Sequence, residues 1–115
     1  MTINEYQQKA HETADYPHPY MEDGFRIPYV YPVMGLVEEA GEVSGKFAKA
    51  VRDNDGVLDD ERKTEIIKEL GDVAWMLAEC STVIGVSLEE VLQKNIDKLA
   101  SRKQRNVIHG SGDNR

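Results

Sequence analysis

Val37-Glu38-Glu39-Ala40-Gly41-Glu42-Val43 and, thirty residues further on, Glu69-Leu70-Gly71-Asp72-Val73 are the two segments that decide the reading of this chain. Each sets a second acid three positions after a Glu, across a glycine. In a helix, at about 100° and ~1.5 Å per residue, such a pair stands on one face, one carboxylate above the other. Like charges so placed repel. A chain that does this twice is either presenting a solvated acidic surface or assembling a cation site. The glycines favour the second. A Gly inside a helix costs about 1 kcal/mol relative to Ala, and a missing side chain lets another backbone or a ligand come close. Glu38 adjoins the first pair, and Glu65 lies one turn before the second.

The chain has 115 residues, which predicts one domain over 1–115. That is enough for a modest core but short for enclosing a substrate between its own helices, so self-association is expected. A net charge of −7 argues against a general nucleic-acid or membrane binder, since those present basic surfaces to phosphates. The single Cys80 excludes a disulfide framework and falls in a helical apolar pattern, where an inert thiol is expected. No apolar stretch approaches the ~20 residues of a membrane span, and Met1 to Tyr20 is polar, unlike a signal peptide. A cytoplasmic location is expected.

The apolar periodicity extends outward from the two acid segments as four helices. Thr2-Ile3-Asn4-Glu5 is a capping box, and Tyr6, Ala10 and Ala14 continue a stripe toward Asp15. From Tyr16 to Pro32 all four prolines and most of the tyrosines gather, which predicts an aromatic loop. It either covers a site or anchors a connection on the core. Pro32 suits a helix start, and Leu36, Val37, Ala40, Val43, Phe47, Ala50 and Val51 form the stripe of a second helix over about Val33 to Arg52. Asp53-Asn54-Asp55-Gly56 resembles an EF-hand loop only superficially. Aligning its glycine puts Arg62 where the bidentate Glu belongs, so a polar turn is expected. A third helix runs from Asp59 or Asp60 to Ile84 with Gly85 as its stop, and Ser87-Leu88-Glu89-Glu90 caps a fourth with Val91, Leu92, Ile96 and Leu99 inward. The predicted fold is an all-α bundle of about four main helices. The tail, 106–115, is polar and expected to be mobile unless a ligand orders it.

The donor chemistry narrows the ion. Di-iron bundles use Glu-x-x-His, yet none of His11, His18 or His109 follows a Glu by three residues. Zinc wants His or Cys ligands, and the chain has no such cluster. An all-oxygen set suits Mg²⁺ or Mn²⁺ acting on phosphates. Lys46 and Lys49 continue the acid face of the second helix, either as phosphate contacts or through ordinary pairing of Lys46 with Glu42. Asn95, Lys98 and Arg102 share a face of the fourth helix, fit for triphosphate oxygens or equally for a solvated basic stripe.

The runs Gly35 to Val43 and Lys68 to Trp75, then Asn95-Ile96-Asp97-Lys98-Leu99 with Arg102, resemble the MazG-like nucleotide pyrophosphohydrolases, with the ending Gly110 to Arg115 similar to short phage-type members. The resemblance implies an all-α fold that forms a homo-oligomer, dimer or tetramer. It also implies Mg²⁺-dependent cleavage of a nucleoside triphosphate to the monophosphate and pyrophosphate, with Mn²⁺ as a substitute. Carried over, Glu39, Glu42, Glu69 and Asp72 would hold the metal, and Glu38 and Glu39 would be catalytic, Glu38 either holding a second ion or orienting the water. Lys49, Asn95, Lys98 and Arg102 would touch phosphates. Trp75 either extends toward the base or belongs to the core. A non-catalytic helical module that senses metal or nucleotide, and a hydrolase of a nucleotide alarmone, are the competing readings.

Overall fold

The computed structural model describes residues 1–17 and 27–115 and consists of four helices: α1 (Ile3–Glu12), α2 (Val30–Asn54), α3 (Asp60–Val83) and α4 (Leu88–Gln104). The centre of the aromatic segment, 18–26, lies outside the described residues. The helix ends follow local chemistry. Thr2 caps α1 in a complete capping box with Glu5. Asp59 caps α3 through the Arg62 amide, and Ser87 caps α4 through that of Glu90. The second helix starts at Val30, three residues before the expected Val33, with Pro32 buried in its first turn.

Helices α2 and α3 pack along their length as an antiparallel hairpin. The polar turn between them bends through left-handed Asp55 and Gly56, at φ 52° and 77°, and Asn54 Nδ2 closes it on the Val57 carbonyl at 2.8 Å. Gly35 of α2 faces Met76 of α3, and a Cβ there would stand 2.5 Å from Met76 Sδ. At Gly41 and Gly71, expected to admit another backbone or a ligand, no other group among the described residues lies within 4 Å of a Cβ built at either, so both face open space.

A turn at Gly85 (φ 75°) sends α4 off the α3 axis by 102°. α4 therefore packs on α1 and α3 and does not approach α2. The corner is held by Gln7, whose amide donates to Thr82 Oγ1 and the Val86 carbonyl at 3.0 Å each and accepts the Leu88 amide at 2.7 Å. Around it Ala10, Ala78 and Leu88 form a small core with Tyr6, Trp75 and Leu77 against it. Several positions expected to face inward are exposed: Val37 at 73%, Val51 at 69% and Ile96 at 60%. Four helices with one sharp corner cannot cover every stripe. No single helix among the described residues is long and apolar enough to cross a membrane.

The tail expected to be mobile lies against the end of α4. Arg102 Nη2 donates to the Asp113 carbonyl at 2.8 Å and to Asp113 Oδ1 at 3.2 Å, and Arg105 Nη2 donates to the Arg115 carbonyl at 2.9 Å. Positive φ at Gly110 and Gly112 lets the chain fold back.

Candidate active site

The hairpin brings Glu39 of the first acid pair up to both acids of the second. One carboxylate oxygen each from Glu39 on α2 and Glu69 and Asp72 on α3 lie within 4.8 Å of one another. Glu39 and Glu69 are half-buried, and Asp72 is exposed. Such crowding is costly for the anions. Burial, then the charges of Asp72, Glu38, Glu69 and Glu42, hold the Glu39 carboxyl above its ordinary range. Of the four expected ligands, Glu42 stands apart from this trio. It is exposed, as is Glu38, and both act on Glu39 through their charge.

The donor set fits a hard divalent ion. Three carboxylates at this spacing supply part of an oxygen shell and leave room for waters and phosphate oxygens, as Mg²⁺ and Mn²⁺ require. The trio includes no imidazole or thiolate to favour zinc.

Lys46 extends from α2 across to α3. Its Nζ lies 3.0 Å from Glu69 Oε1 and 3.4 Å from Glu65 Oε2, and the bond to Glu69 foremost raises its pKa. The Glu42 to Lys46 pairing that the spacing allowed gives way to this inter-helix bridge. Beyond Lys46 a groove of about 270 Å³ runs between the helices, lined by Lys49, Asp53, Glu61, Arg62 and Glu65. Lys49 therefore borders the same cleft.

The remaining expected contacts are elsewhere. Asn95 and Lys98 line a cavity of about 540 Å³ with Leu77, Val91 and Leu92, and Lys98 Nζ is 3.4 Å from Asp113 Oδ1. Arg102 is buried against the tail. α4 does not approach α2, the helix that carries Glu39. Trp75 is partly buried on the core, donates its indole N–H to Thr13 Oγ1 at 2.8 Å, and meets Tyr16 edge-on at 6.2 Å between centroids.

Sequence reasoning missed one group entirely. Glu79, on the same helix as Glu69 and Asp72, is fully buried and accepts from Tyr16 Oη at 2.9 Å and from His11 Nδ1 at 3.2 Å. Burial and the bond to Glu79 push the Tyr16 phenol up. Tyr16 also stacks on Tyr31 at 5.1 Å, so this network ties α1 and the start of α2 to the acid-bearing helix. The only local signal is a Glu within an apolar run, Ala78-Glu79-Cys80. Cys80 beside it has its thiol pKa raised by burial and then by the Glu79 charge, as an inert thiol should.

A family model of the MazG nucleotide pyrophosphohydrolase domain matches residues 33–107, the span that contains the trio, Lys46 and α4. The "Gene 37 protein" of Mycobacterium phage L5 is 46% identical over 116 residues, covering all of both chains. The "Uncharacterized protein YvdC" of Bacillus subtilis (strain 168) is 38% identical over 76 residues, which is 58% of this chain and 68% of its own. No solved structure matches the chain.

Proposed function

The chain belongs to the MazG nucleotide pyrophosphohydrolase family, and from that footing we propose that it hydrolyses a nucleoside triphosphate to the monophosphate and pyrophosphate, using Mg²⁺ or Mn²⁺ held by Glu39, Glu69 and Asp72. The observation that carries this reading is the convergence of three carboxylates from two helices at one point. These three carboxylates would hold the ion, which when bound would supply Lewis-acid polarisation of an α-phosphoryl oxygen and a more acidic attacking water. Glu38, next to Glu39 on the same helical turn, accepts the water's proton or orients it, and Glu42, whose charge acts on Glu39, joins through an intervening water. Lys49, in the groove next to the trio, takes phosphate oxygens as a cationic donor.

The unit that does this is a homo-oligomer, a dimer or tetramer. Asn95, Lys98 and Arg102 lie on a helix that does not approach the acid-bearing face of its own α2. A second copy is the way to bring them to the phosphates, and Trp75 to a base. The exposed apolar positions on α2 and α4 supply a surface for that contact.

Incubation of the protein with Mg²⁺ and each deoxy- and ribonucleoside triphosphate tests the reaction. Monophosphate and pyrophosphate in equal amounts are expected, abolished by EDTA. Orthophosphate as first product would place the attack at the wrong phosphorus. Tight nucleotide binding without turnover would mark a sensing module instead.

A further inference from the structure

Lys46 occupies the junction of the acid trio and the groove. Its Nζ reaches Glu69 of the trio at 3.0 Å, and its side chain lines the cleft with Lys49 and Arg62, among the acids Asp53, Glu61 and Glu65. It is only 24% exposed, so the ammonium is held in place instead of sampling solvent. The hold has two centres. Glu65 offers Oε2 at 3.4 Å while its Oε1 is bonded to Lys68 at 2.6 Å. If Glu69 turns away, Glu65 still keeps Lys46 at the mouth of the groove.

A cation beside three crowded carboxylates stabilises them and, by the same charge, opposes a second cation at that point. An ammonium facing a groove is also a phosphate donor. Resting on the pyrophosphohydrolase reading above, we propose that Lys46 couples the divalent ion to the phosphate chain. Without the ion its ammonium neutralises Glu69; with Glu69 engaged by the ion, the ammonium is released to the β- and γ-phosphate oxygens that leave as pyrophosphate. No bond forms or breaks at Lys46. It stays protonated and offsets charge that develops on the leaving group. The arrangement disfavours a bare ion and favours an ion that arrives with its nucleotide.

The signature is two effects of opposite sign. A purely structural bridge would weaken both ligands on removal, and a lysine that only orients Glu69 would weaken the ion. Calorimetric titration of the full chain with Mn²⁺ alone, then with inorganic pyrophosphate in saturating Mn²⁺, separates these cases. Lys46→Met is expected to bind Mn²⁺ alone about threefold more tightly or better and pyrophosphate about tenfold more weakly. Lys46→Arg, which keeps the charge, should stay within about threefold of wild type for both. Lys46→Gln carries the same expectation as Lys46→Met should methionine disturb the fold, checked by circular dichroism. Weaker Mn²⁺ binding in the neutral variants, or unchanged pyrophosphate affinity, overturns the coupling. Wild type that binds neither Mn²⁺ nor pyrophosphate overturns the proposed function itself.

Discussion

Glu79 has no contact with solvent and yet carries two donors, His11 Nδ1 and Tyr16 Oη, from segments 68 and 63 residues away in sequence. A buried carboxylate removed from under its donors leaves polar groups desolvated and uncompensated. Glu79→Ala is therefore expected to cost about 2–4 kcal/mol in urea unfolding, with Glu79→Gln costing less because an amide oxygen still accepts. A loss within error of zero would mean that the network holds nothing together. This residue also marks a limit on what spacing reveals. Glu39, Glu69 and Asp72 were legible because i,i+3 repulsion is a local oddity that needs a reason. Glu79 was not, because its reason lies on other elements. Glu42 shares the local oddity with Glu39 and acts on it through its charge, but the group whose oxygens lie within 4.8 Å of one another is Glu39, Glu69 and Asp72. Glu69 differs from Glu39 in a way that only the structure supplies, since Lys46 already balances it.

Helix boundaries were readable to within a few residues because caps are local chemistry: Thr2, Asp59 and Ser87 each accept the amide three residues on. Glycine roles were not readable, because they depend on what another helix presents. Gly35→Ala is expected to destabilise by about 1–3 kcal/mol, as Met76 must move within a packed interior. Gly41→Ala and Gly71→Ala meet open space and should each add about 0.5–1 kcal/mol of stability. Chemical denaturation of the three variants checks both signs. If Gly41→Ala or Gly71→Ala is more stable yet inactive, the open space serves the ligand or a second copy. The tail is a further element whose order depends on distant partners. Hydrogen bonds from Arg102 and then Lys98 lower the Asp113 carboxyl below its ordinary 3.8. A depressed folded pKa contributes stability above the ordinary value that is lost as pH falls through the depressed one. Backbone motion in 110–115, read by ¹⁵N relaxation, should thus rise on acidification below 3.8, and at neutral pH in Asp113→Asn. A wild-type tail that is fully mobile at neutral pH would contradict these contacts.

The described residues are expanded for their number. Their radius of gyration is 17.6 Å, against about 13 Å for a compact domain of this size. The all-α class followed from 3.6-residue periodicity along the chain, but which stripes stay uncovered depended on the 102° corner between α3 and α4, which no periodicity encodes. Exposed Val37, Val51 and Ile96 are what a single copy leaves over. Multi-angle light scattering is expected to give at least a dimer at micromolar concentration, and a fully active monomer would refute the shared site. The central claim, one divalent ion held by Glu39, Glu69 and Asp72, meets its most direct test in thermal melts of wild type, Glu39→Gln and Asp72→Asn with EDTA and with Mg²⁺. Mg²⁺ should raise the wild-type melting temperature and leave both variants nearly unmoved. In EDTA, Glu39→Gln should match wild type or exceed it by about 1 kcal/mol, since it removes a carboxyl that its neighbours disfavour. An undiminished Mg²⁺ response in both variants would show that the ion, if bound, is not held by this trio.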